Sequence, residues 1–242
     1  MVPGKKEIPN AKTDLQLRKK KRLKRLVCWL VIDLIVAAVI FALLLYRPRL
    51  YQPVVFNEGS YERGEVSPYL THELLPKIHR DAQLGKPFDL VITQEGVNEI
   101  VAWSGWPKES EGVIFTSPEV LFIPENIVLM GTAVLKGVDF IVTIVVEPKI
   151  TEQKLLSLNV VKVKIGAMNI TPLAMILARR SYEQRFANIP EDIKNEWEAK
   201  IVASLLTKEP FEPVFKVEDI KMHVESITIK DKQLIVRLIP AS

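Results

Sequence analysis

Between Leu26 and Tyr46 the chain reads LVCWLVIDLIVAAVIFALLLY, 21 residues with a single charge, Asp33. At about 1.5 Å of rise per residue, such a run coils into a helix about 30 Å long, the thickness of a bilayer's hydrocarbon core. A segment this apolar has to leave water, and as a lone segment in lipid it satisfies its main chain only as a helix. A cleaved signal peptide has a shorter apolar region, about 7 to 15 residues, that closes on small residues. Here the run closes on Leu43, Leu44, Leu45 and Tyr46, followed by Arg47 and Pro48. The reading is an uncleaved signal-anchor. Ten Lys/Arg precede the run, whereas Arg47, Arg49 and Arg63 are the ones in residues 47–71. That asymmetry predicts a single-pass protein of the cell membrane, its N-terminus cytoplasmic and its C-terminal part extracytoplasmic.

The formal net charge of +4 is unevenly distributed. Residues 1–25 hold 10 Lys/Arg against 2 acids, and residues 47–242 hold 23 against 26. The basic pI therefore reports a tail, which argues against a nucleic-acid-binding globule. The cluster Arg18 to Arg25 abuts the span. There it holds orientation and attracts anionic membrane lipids, at about 1 kcal/mol per charge. Asp33 costs about 2.5–3.5 kcal/mol near the centre of a span and less off centre. It is either a tolerated polar residue or a contact for another membrane protein through the span. With 48% hydrophobic residues the chain is not wholly disordered, and its one cysteine, Cys28, excludes an internal disulfide.

Four segments follow: a basic tail (1–25), the transmembrane helix (26–46), a Pro- and Gly-containing linker (47–68), and an extracytoplasmic α+β domain (69–242). Within the last, helices are expected at Tyr69 to Gln83 and from Thr93, a capping residue, to about Ser104, with a strand at Phe88 to Ile92 between them. Strands are expected at Val120 to Ile123, Ile127 to Leu135, Phe140 to Val146 (closing at Pro148) and within Leu155 to Ile170. Thr171 before Pro172 has the form of a helix start. A second helix carries Ile193, Trp197, Ile201 and Leu205 at four-residue spacing, and two strands near Ile220 to Ile229 and Leu234 to Ile239 form a hairpin. The fold class is α+β: a twisted antiparallel sheet, meander plus C-terminal hairpin, packed with helices.

Two of these strands are apolar on both faces. Ile127, Leu129, Ala133 and Leu135 oppose Val128, Met130 and Val134, and Phe140, Val142, Ile144 and Val146 oppose Ile141 and Val145. The middle of the sheet therefore needs apolar cover on both sides. Either helices supply it, or one face lines a cavity for a hydrophobic ligand.

Signatures of enzyme chemistry are lacking: there is no Gly-rich phosphate loop, nucleophile elbow or paired cysteines for zinc. His72 and His79 lack a third ligand and read as structural or solvated, so no metal or other cofactor is expected. Glu95 and Glu99, at i and i+4, read as a solvated helix pair rather than a catalytic one. Trp103 and Trp106, in a turn around Gly105, either pack as a loop on the core or guard the mouth of an apolar cavity.

The stretch Asn159, Val160, Lys162, Ile165, Gly166 and Pro172, preceded by Glu147 and Pro148, resembles the YpmS-like family of bacterial envelope proteins. The helix start Thr93, Glu95, Val97 and Asn98 and the ending Ile227 to Pro240 are similar too. The resemblance implies a single-pass protein with an extracytoplasmic α+β domain and does not imply an activity. Helices laid along a twisted antiparallel sheet also resemble tubular lipid-binding modules, which strengthens the cavity alternative. The expected function is a non-enzymatic, membrane-anchored binding module. Its groove for a lipid or other hydrophobe is lined by Leu129, Ile144, Leu158, Ile176 and Trp197, with Trp103 and Trp106 at the entrance. The alternative is an envelope scaffold that recruits partner proteins through its span and soluble face.

Overall fold

In a computed structural model the described residues are 11–52, 66–110, 112–186 and 196–241, in two compact units that divide at Leu43/Leu44. The first unit is helical: α1 runs from Ala11 to Leu44. Its stretch Lys24–Leu44 is long and apolar enough to cross a membrane as an anchor or to act as a signal, and it is unburied along its length.

In the second unit a π-helical segment, Tyr69–Leu74, runs straight into α2, Leu75–Gln83. Strand β1, Phe88–Thr93, follows, then α3, Gln94–Ala102, whose first turn is capped by the Thr93 hydroxyl accepting from Gly96 N at 3.1 Å. Two short strands, β2 (Lys108–Ser110) and β3 (Val113–Phe115), lead into β4 (Glu119–Ile123), β5 (Asn126–Leu135), β6 (Val138–Ile150), β7 (Leu156–Ile165) and β8 (Met168–Asn169). Helices α4 (Thr171–Phe186) and α5 (Trp197–Thr207) come next, then β9 (Val214–Val217), β10 (Ile220–Lys230) and β11 (Gln233–Pro240). The architecture is mixed α+β with antiparallel pairing throughout the described strands.

These strands form two sheets. The C-terminal hairpin leaves the meander and joins β1 in a four-stranded sheet ordered β1-β11-β10-β9, while β2 to β8 make the larger sheet. Strand β6 extends past its expected end, through Pro148 to Ile150. By Pro148 its neighbour β5 has already ended, since Ile127 pairs with Val146, so proline's missing N–H costs no ladder bond on that side. The expected Lys136 and Gly137 turn is present, and both residues have positive φ, 51° and 78°.

Both faces of β5 are covered, each by a different part of the fold. Val120, Phe122 and Ile229 are buried between the sheets, with Ile127, Leu129, Ile227, Leu234 and α3's Val97 and Val101 packed against them. On the opposite face Val128, Met130 and Ile141 pack against Tyr51. The Tyr51 hydroxyl also lies 2.9 Å from Thr132 Oγ1, and Gln52 N donates to Glu119 Oε2 at 2.9 Å. Residues 51–52 therefore belong to the folded unit. The linker expected at 47–68 is corrected at this point, because a buried aromatic holds the segment to the sheet; residues 53–65 lie outside the described set. A third core, under α2, gathers Ala82, Leu90, Met222, Val224 and Leu238.

Candidate ligand site at the edge of β9

Beside β9 lies an open cavity of about 580 Å³, lined by Trp197, Val214, Phe215, Lys216 and Lys221. Three consecutive β9 residues reach it, although neighbours along a strand point to opposite faces. The cavity therefore takes in both faces of β9, the outermost described strand of the smaller sheet, together with Lys221 of its neighbour β10. Local sequence explains this shape. Strand β9 is only four residues long and pairs on one side, Val217 opposite Ile220, Lys216 opposite Lys221, Phe215 opposite Met222 and Val214 opposite His223.

Trp197, the first residue of α5, closes one wall. Its ring stands edge-on to Phe211 at 5.4 Å and 78°, and to Phe215 at 5.8 Å and 60°. Helix α5 is fixed in turn against β7. Ser204, fully buried, accepts from Leu158 N at 3.0 Å, and Phe211 bridges Leu156 through bonds of 2.8 and 3.0 Å. Phe215 and Met222 face the core under α2, so Lys216 and Lys221, one residue along each strand, point together to the outer face. Next to them on that face, His223 has its Nδ1 enclosed with no hydrogen-bond partner among the described residues.

Further along the same outer face, Arg237 donates to Asp89 at 3.0 Å and Glu225 at 2.9 Å. Those two hydrogen bonds, Asp89 first, hold its guanidinium above its already high range. Neither Lys216 nor Lys221 has an ion pair among the described residues. Of the two acids in the turn between their strands, Glu218 meets His79 at 3.2 Å, and Asp219 forms no ion pair with either lysine.

The residues singled out in the sequence are dispersed. Leu129 and Ile144 are cross-strand partners, and Leu129, partly buried, packs against the core cluster between the sheets. Leu158 is half-buried on β7, beside α5. Ile176 is 54% exposed on α4, in a row with Leu173 and Leu177. Trp103 and Trp106 follow α3; Trp106 donates to Val101 O at 2.9 Å and carries Lys108 Nζ 4.7 Å over its ring. Helix α3 contacts β1, at the opposite edge of the small sheet from β9, so these rings do not guard the Trp197 cavity. Asp33 lies exposed within α1. Of the expected lining only Trp197 reaches the cavity, and sequence reasoning missed Val214, Phe215, Lys216 and Lys221. The run VFKV carries a faint strand signal, and only pairing with β10 makes an edge of it.

Glu99 belongs to the scaffold: its Oε1 accepts from Ser67 Oγ at 2.8 Å and Tyr69 N at 2.9 Å. No group of three His, Cys, Asp or Glu suited to a metal ion occurs among the described residues. Compared with family models, curated proteins and solved structures, the chain matches none.

Proposed function

We propose that this chain is a non-enzymatic binding module held at the cell membrane by its N-terminal helix, with the cytoplasmic tail and extracytoplasmic domain set by the Lys/Arg asymmetry. Its site takes a lipid or similar hydrophobe. The observation that carries the reading is the open cavity of about 580 Å³ walled by Trp197, Val214 and Phe215. That volume falls within the range of about 300–1,000 Å³ usual for small-molecule sites, where apolar walls supply the affinity and a few polar groups the orientation. The ligand lies along an exposed strand edge, not in a channel through the sheet.

The test uses the full chain in phosphatidylcholine nanodiscs and a fatty alcohol with a photoreactive diazirine in its tail. Mass spectrometry of the cross-linked peptides should place label on residues 197–221 in addition to the span. Label confined to the span rejects the reading.

The alternative, a scaffold that recruits partner proteins, has one observation in its favour. Leu173, Ile176 and Leu177 stand exposed at 58%, 54% and 56% on one side of α4. A scaffold without a ligand site gives no label on 197–221.

A further inference from the structure

The cavity's walls are apolar, but its two charged members have the same sign and sit side by side. We propose that its ligand is an anionic amphiphile, an acyl or alkyl chain ending in a phosphate or carboxylate. Trp197, Val214 and Phe215 receive the chain, and Lys216 and Lys221 the head. The inference rests on the binding-module reading above and adds the chemical class of the ligand.

Lys216 lies directly opposite Lys221, and side chains of directly opposed residues in an antiparallel pair stand about 5 Å apart at Cβ on the same face. Like charges so placed repel and weaken the pairing. On the same face Arg237, by contrast, is met by both Asp89 and Glu225. No carboxylate among the described residues, Asp219 of the adjoining turn included, comes within 4 Å of either ammonium, while both lysines line the cavity together with an indole and a phenyl ring. Lysine stems lie readily along apolar surface with the ammonium at its rim, which joins the apolar wall to a cationic end. An anionic head between two ammonium groups relieves their repulsion and forms charge-assisted hydrogen bonds. A neutral head leaves the repulsion in place, and a cationic one adds to it.

The experiment compares two probes with the same diazirine tail, a monoalkyl phosphate and the corresponding alcohol, on the full chain in phosphatidylcholine nanodiscs. The phosphate should label residues 197–221 at least fivefold more than the alcohol. In a K216Q/K221Q variant the ratio of phosphate to alcohol labelling should fall to about one, and a ratio still fivefold or more overturns the role of the two lysines. Both lysines are exposed, so the variant is expected to melt no lower than the parent chain, and slightly higher where their repulsion is lost. Equal labelling by the two probes in the parent chain overturns the anionic head and leaves the hydrophobe site standing. No label on 197–221 from either probe overturns the binding reading itself. Loss of the alkyl phosphate label to an equal concentration of inorganic phosphate overturns the amphiphile in favour of a free anion.

Discussion

Asn98 does for β4 what a neighbouring strand does elsewhere in the sheet. Its amide donates to Val120 O at 2.8 Å and accepts from Val120 N at 2.6 Å, while Gln94 Oε1 accepts from Phe122 N at 2.9 Å. An open edge next to the core is thereby closed by side chains of α3. Val120 is buried, so Asn98→Ala strands two enclosed main-chain groups, at roughly 1–3 kcal/mol each. Thermal unfolding of the full chain in detergent should show a midpoint several degrees lower, and a shift under about 1 °C rejects this role. Two residues before Asn98, Gly96 faces the Tyr69 ring so closely that a Cβ there overlaps it, which ties α3 to the π-helical segment. The Thr93 cap is legible in sequence because a cap acts within its own turn. The Asn98 clamp is not, since its partner lies 22 residues away.

Strand β7 shows how an exposed edge is closed one main-chain group at a time. Phe211 takes Leu156, Ser204 takes Leu158 N, and Thr171 Oγ1 accepts from Val163 N at 2.8 Å, with β8 pairing the end. The Thr171 hydroxyl, expected as the cap of α4, is thus spent on the sheet. Replacing Ser204 with alanine leaves the Leu158 N–H unpaired beside a helix that still blocks water, at a cost of about 1–2 kcal/mol. Hydrogen exchange should then quicken at Leu158 and leave β10 and β11 unchanged; an unaltered Leu158 amide contradicts this use of α5. Long apolar strands such as β5 and β6 are legible because their pattern runs for ten residues or more. Strands β2, β3 and β9 are three or four residues long and acquire strand geometry only from a partner.

Across the whole second unit, the two apolar faces of β5 find different covers, the second sheet with α3 on one side and Tyr51 on the other. A chain that starts at Tyr69, where composition places the domain boundary, therefore loses the cover of Val128, Met130 and Ile141 together with the Ser67 bond to Glu99. Compared with a chain starting at Leu44, it should unfold at lower denaturant and bind a dye specific for exposed apolar surface. Equal midpoints contradict the assignment of residues 51–52 to the fold.

Periodicity and composition alone determined the span-length apolar helix, the α+β class, the strands greasy on both faces and the starts of α3 and α4, because each is a property of contiguous residues. Tertiary structure decided that the hairpin joins β1 in a sheet of its own, that Leu129 packs against the core between the sheets, and that Trp197 meets Lys216 and Lys221 around an open cavity. Those outcomes depend on which distant surfaces bury each other most completely, a competition among pairings that alternating residues along one strand do not record.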